Sequence, residues 1–148
     1  MPALLQALPE AGNKQANLET IDRHASVAAA AGAEFVCFPE LFLTGYNLGT
    51  ALRDLAEPAD GPSVRRMSEI ATRHGVGLIV GMPERDGNRV YNSAAAVDAQ
   101  GRVVGMCRKF QLFGAVEPEI FTPGADLTVV SMGARRIGLL ICYDVEFP

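Results

Sequence analysis

Three short, almost unbroken apolar runs constrain this chain most: Glu34 to Phe38, Val76 to Met82 and Ile137 to Ile141. A half-exposed strand alternates apolar and polar residues, whereas a strand covered on both faces reads as continuously apolar. Each run is therefore predicted to be a buried strand, the first stopped by Pro39 and the last lengthened to Arg135–Cys142. Elsewhere the apolar period is that of a helix. From about Asn13 to Gly32, Leu18, Ile21, Ala25 and Ala28 recur at three- and four-residue steps, and Gly32 stands where the helix would be capped. A second helix is expected after Asp60-Gly-Pro62, with Ser63 as N-cap, Val64, Met67, Ile70 and Ala71 on one face, and Gly75 as its end. Between them lie a loop from Leu41 to Asn47, turning at Gly45, and a weak helix from Leu48 to Glu57.

The second half changes character. Val90–Val97 and Arg102–Arg108 are joined by Asp98-Ala-Gln-Gly101, a hairpin signal, and Leu127–Met132 and Arg135–Cys142 repeat the pattern around Gly133. Helix–strand alternation followed by hairpins predicts an α/β fold with a mixed sheet and helices on one face. The 148 residues, 49% hydrophobic and 20% charged, are enough for one packed domain. The strand ending at Cys142 has no closing element after it, so the chain is expected to be the front part of a larger fold.

Composition narrows the function. Lys and Arg total 13 against 17 Asp and Glu, a net charge of −4, which offers no general hold on a phosphate backbone; nucleic acid is not an expected partner. No run approaches the roughly 20 apolar residues of a membrane span, and the N-terminal MPALLQALPEAG lacks the basic start and long apolar stretch of a secretory signal. Cys37, Cys107 and Cys142 form no evenly spaced framework, which fits a reducing, cytoplasmic setting. His24 and His74 are 50 positions apart and no Cys-x-x-Cys pair exists, so neither metal nor cofactor is expected.

The residues just past the strands suggest chemistry. Side chains at the carboxyl ends of strands in an α/β sheet face the crevice where ligands bind. Cys142 ends one strand, Glu40 directly follows Pro39 at the end of another, and Lys109 follows Arg108 at the end of a third. A thiol, a base to deprotonate it and a cation to hold negative charge are the parts of nucleophilic catalysis. Each has a plain alternative: a structural cysteine, a solvated loop acid, a surface lysine. Arg108 competes with Lys109, since neighbours on a strand point to opposite faces. Cys37 and Cys107 read as structural.

Taken together, the segments Phe38-Pro-Glu40 with Leu43-Thr-Gly-Tyr46, Arg108-Lys109 with Phe121-Thr-Pro-Gly124, and Gly138-Leu-Leu-Ile-Cys142-Tyr-Asp-Val-Glu-Phe-Pro148 resemble the successive signature blocks of the nitrilase superfamily of carbon–nitrogen hydrolases. Tyr91-Asn-Ser93 and Asp98-Ala-Gln-Gly101 match the intervening segment, and the spacings, 69 positions from Glu40 to Lys109 and 33 more to Cys142, suit it. The resemblance implies a four-layer α-β-β-α sandwich, here as its N-terminal portion over residues 1–148, and a homodimer or higher homo-oligomer. It implies Cys142 as nucleophile, Glu40 as general base and acid, and Lys109 with the Tyr143 backbone N–H as stabilisers of the oxyanion. Glu117 matches a second family glutamate, with Glu119 as its rival, and Tyr46 falls in the substrate-binding set. Cys107 stands where the family often has Tyr, and Phe110-Gln111 where Thr-His is common. Tyr143 in place of Trp after the nucleophile, with Thr44-Gly-Tyr-Asn47 and Gln111-Leu-Phe-Gly114, looks most like the amidase branch acting on short aliphatic or ω-amino amides. N-carbamoyl amide hydrolase, nitrilase and an inactive self-associating scaffold are the alternatives.

Overall fold

The structure, a computed structural model, describes residues 1–147; Pro148, the last residue of the third signature block, lies outside them. Five strands form the main sheet in sequential order: β1 (Pro2–Leu4), β2 (Phe35–Cys37), β3 (Gly77–Asp86), β4 (Arg89–Val97) and β5 (Val103–Arg108). β1, β2 and β3 run parallel, while β3–β4 and β4–β5 are antiparallel, so the sheet is mixed as expected. β1 was not legible in the sequence; three residues joined to a parallel neighbour leave no periodic trace.

Helix α1 (Lys14–Ala30) starts where Asn13 accepts a hydrogen bond from the Ala16 N–H, and α3 (Pro62–His74) ends at Gly75 in the left-handed region. The weak helix is a 3₁₀ turn, Gly49–Ala51, running into α2 (Leu52–Leu55). Leu18, Ile21, Ala25 and Ala28 of α1, and Val64, Met67, Ile70 and Ala71 of α3, bury against Val36, Leu78, Val80, Met82, Ala95 and Val97 of the sheet. On its other face, Phe35, Ile79, Ala94, Ala96 and Cys107 meet a two-stranded antiparallel sheet, β6 (Thr128–Met132) and β7 (Arg135–Leu139), through Val130, Met132, Leu139 and Ile141. The sheets pack closely: a Cβ added to Gly105 would collide with the Val130 side chain. Helix layer, sheet and second sheet make three layers of the expected sandwich.

Two local expectations are corrected. Ser63 is not the N-cap of α3; Gly61 is, and Ser63 sits inside the helix. The cap comes from elsewhere, as the Glu57 carboxylate accepts the Ser63 N–H at 2.8 Å and the Ser63 hydroxyl at 2.9 Å. The last strand stops at Leu139, not Cys142, which instead opens a 3₁₀ turn, Cys142–Glu146.

Candidate active site

Each candidate side chain is delivered by the end of a strand or the turn after it. Beyond β2, Glu40 is followed by fully buried Leu41 at φ +50°, a left-handed conformation that costs a non-glycine residue of order 1–3 kcal/mol. The turn is fixed by Gly45 N–H donating to Leu41 O at 2.7 Å and Leu43 N–H donating to Gly81 O at 3.0 Å. Gly81 is required here, because a Cβ would lie 2.6 Å from Pro39 O and 2.8 Å from Glu40 C.

At the end of β5 the competition between neighbours is resolved by alternation. Arg108 turns to the helix side, bonding buried Glu84 at 2.5 and 3.0 Å and lying 3.9 Å from the centre of the Tyr91 ring. Lys109 turns the other way and is wholly buried. Its Nζ donates to Glu40 Oε1 at 2.7 Å and Glu117 Oε1 at 2.9 Å. Burial pushes this ammonium toward deprotonation, but the two carboxylates outweigh it and hold its pKa above the usual lysine value.

Glu117, in the short helix α4 (Glu117–Ile120), accepts also from the Tyr46 hydroxyl at 2.8 Å and the Phe113 N–H at 2.7 Å. Glu119 is exposed, so Glu117 is the acid that reaches Lys109. Burial and the adjoining Glu117 carboxylate hold the Tyr46 phenol well above its ordinary range.

Cys142 shares a cavity wall with Glu40, in a space of about 340 Å³ between the sheets. Like Leu41, it takes φ +50°. The turn is clamped by Asp144, whose Oδ2 accepts the Ile141 N–H at 3.0 Å and whose Oδ1 accepts the Phe110 and Gln111 N–H groups at 3.0 and 2.7 Å. One buried carboxylate thereby ties the Cys142 turn to the residues after Lys109. The Cys142 thiol is held above the ordinary cysteine value, first by partial burial and then by the facing Glu40 carboxylate; Lys109 and the Tyr143 N–H pull against this without reversing it. Cys107 is fully buried. Cys37 is only half-buried and lines the same cavity as Cys142, a departure from the expected inert strand interior.

A second cavity, of about 400 Å³, is lined by Leu41, Tyr46, Leu52, Phe113, Glu117 and Ile120 among others. Lys109 thus bonds one carboxylate from the wall of each cavity. The sequence pattern did not single out Asp144, or Asn92, whose side-chain amide donates to Glu40 Oε1 at 2.7 Å. Both lie within the matched blocks, which was the only signal pointing to them. Among the described residues no group of three or more His, Cys, Asp or Glu side chains is arranged to hold a metal ion, and no helix is long and apolar enough to cross a membrane.

A mixed sheet backed by helices, faced by a second sheet and carrying these groups at its strand ends has the architecture of solved nitrilase-superfamily amidases. The carbon–nitrogen hydrolase family matches residues 3–148, and the chain belongs to that family, within the nitrilase superfamily. A mutant amidase from Nesterenkonia sp. AN1, whose active-site cysteine has undergone Michael addition of acrylamide, superposes with a TM-score of 0.84 at 32% identity, covering 99% of this chain and 58% of that one. A protein of Pseudomonas protegens described as a hydrolase in the pqqF 5′ region is 39% identical over 99% of this chain and 52% of its own length. An (R)-stereoselective amidase from Pseudomonas sp. is 34% identical over 83% of this chain and 44% of its own. The chain spans about half the length of the curated relatives it matches.

Proposed function

We propose that this chain carries the catalytic set of a cysteine-dependent amidase, with Cys142 as nucleophile, Glu40 as proton carrier and Lys109 as oxyanion stabiliser. The observation that carries this reading is the convergence of Glu40 and Glu117 on one buried ammonium, with the Cys142 thiol on the same wall as Glu40. In the first step the thiol proton passes to Glu40 as sulfur attacks the amide carbon. The resulting oxyanion is met by the Lys109 ammonium and the Tyr143 backbone N–H, donors of a kind typically worth about 3–4 kcal/mol each. Collapse breaks the C–N bond, Glu40 returns the proton to the departing ammonia, and a thioester remains. Water, deprotonated by Glu40, then releases the acid and restores the thiol.

Among acyl groups, the apolar cavity supports a short aliphatic chain: Leu41, Leu52, Phe113 and Ile120 line it, and its only charged residue among those described, Glu117, is already engaged by Lys109, Tyr46 and the Phe113 N–H. Among the same residues no acid is left for an ω-amino group, and no cation lines this cavity to meet the carboxylate of an N-carbamoyl amino acid. A homo-oligomer, residues 1–148 as the N-terminal portion of the domain, and a reducing cytoplasmic setting that keeps the thiol free are parts of the same reading.

In the complete enzyme, Cys142→Ala is expected to abolish ammonia release from a short aliphatic amide and leave the far-UV circular dichroism unchanged. Retained turnover would remove Cys142 as nucleophile, and faster release from N-carbamoyl amino acids than from pentanamide would replace the substrate class.

A further inference from the structure

Asn92 lies on β4, is 1% exposed, and holds the one buried side-chain nitrogen or oxygen without a hydrogen-bond partner among the described residues, its Oδ1. An orphaned carbonyl in such a place is unfavourable, and a leucine of similar volume would fill the space without it. What leucine cannot supply is the Nδ2–H. That group donates to Glu40 Oε1 at 2.7 Å, the same oxygen that receives Lys109 Nζ at 2.7 Å. The reverse amide orientation would set a carbonyl oxygen against a carboxylate, so Nδ2 is the atom that faces Glu40.

Two donors on one oxygen fix the plane of the carboxylate, whereas the lysine alone, free to rotate its three N–H groups, would fix only a distance. Both donors go to Oε1 and neither reaches the other oxygen, Oε2; the Glu40 side chain is 18% exposed and lines the same cavity as the Cys142 thiol.

Building on the reading of Glu40 as proton carrier, we propose that Asn92 is a positioning residue for the general base: by holding Oε1 it leaves Oε2 as the oxygen that takes the Cys142 proton. The backbone serves the same end. Lys109 N–H donates to Asn92 O at 2.8 Å, so the residue that orients the carboxylate also sets the register of the strand end bearing the ammonium. Asn92 acts through Glu40 and touches no reacting atom.

The test tracks Cys142 alkylation by iodoacetamide against pH, resolved from Cys37 and Cys107 by peptide mass spectrometry, in wild type, Asn92→Leu and Glu40→Gln. The groups around this sulfur are Glu40, Lys109 and the Tyr143 N–H, with Tyr46 beyond them. Glu40→Gln removes the charge that holds the thiol up, so its midpoint moves down. Asn92→Leu is expected to move it the same way by a smaller amount, with a melting temperature unchanged or higher because the orphaned carbonyl is gone. In the complete enzyme the same variant is expected to lose up to about 100-fold in kcat with KM little changed, the signature of misplacement rather than lost binding. An Asn92→Leu midpoint equal to or above that of wild type, while Glu40→Gln shifts, overturns the role of Asn92. A Glu40→Gln profile identical to wild type overturns the proton-carrier reading itself. Should Asn92→Leu not melt cooperatively, Asn92→Ser, whose hydroxyl is too short to reach Glu40, is read in its place by the same criteria.

Discussion

Lys109 Nζ has three N–H groups, and two are engaged by Glu40 and Glu117. On the proposed mechanism the third meets the oxyanion, while the two carboxylates hold the ammonium where no solvent reaches it. Lys109→Met, close in shape but without charge, leaves both acids facing an apolar group. Removing one partner of a buried ion pair typically costs about 3–5 kcal/mol, and removing an oxyanion donor lowers kcat by about 100- to 1,000-fold. Urea unfolding and amide turnover by the complete enzyme measure the two separately. Because the lysine's folded pKa is raised, its stabilising contribution is fully present below the ordinary value of 10.5 and is lost only as pH climbs through the higher folded value. The stability gap between wild type and Lys109→Met is therefore expected to be flat from neutral pH to about 10.5 and to close as pH rises beyond it through the folded value. A gap that narrows on going from pH 7 to pH 9 would contradict the pairing.

The α3 N-terminus shows how an element can be legible in outline and opaque in its support. The apolar face of the helix was plain in Val64, Met67, Ile70 and Ala71, but the cap comes from Glu57, six residues before the serine it holds and outside local capping patterns. Lys14 of α1 reaches the same carboxylate at 2.5 Å, so one acid joins two helices. Burial pushes Glu57 up, yet Lys14 and the two Ser63 donors outweigh it and hold it below the ordinary 4.5. A lowered folded pKa gives stability that is present above 4.5 and lost as pH falls through the folded value. Glu57→Gln is expected to lower the melting temperature at pH 7, with a loss of about 1 kcal/mol typical of a cap, and to shrink that difference in acid. A constant difference down to pH 2 would count against it. β3 was similarly cut short in the sequence pattern, at Met82, because Glu84-Arg-Asp86 is polar; the strand continues because Glu84 is buried against Arg108 and Ser93. The residues in the signature blocks were legible as a set. The tie from Asn92 to Glu40, across 52 positions, and that from Asp144 to Phe110 and Gln111, across 34 and 33, were not, because long-range hydrogen bonds leave no local period.

At the scale of the whole molecule the two sheets are unequal. The main sheet has helices on one face and the β6–β7 pair on the other, whereas the outer side of that pair is bare among the described residues. Val130 and Met132 of β6 point inward and are 2% exposed, while Val129, just before Val130 and on the opposite face of the strand, is 55% exposed. Leu127 and Leu140 flank it, exposed as well, and Val145 and Phe147 of the following turn add to the apolar surface. Contiguous apolar patches on isolated chains drive association, and strands with free edges give it a template. The 148-residue chain by itself is therefore expected to self-associate, with sedimentation coefficients that rise with concentration, and to show no measurable amidase activity. Val129→Lys and Leu127→Lys together place charge on this face without touching the inner core, so they are expected to restore a monomer with unchanged far-UV circular dichroism. A wild-type chain that sediments as one monomeric species throughout a concentration series and binds no hydrophobic dye would show that this face needs no cover; amide turnover by that chain would show that the catalytic set works without more of the fold.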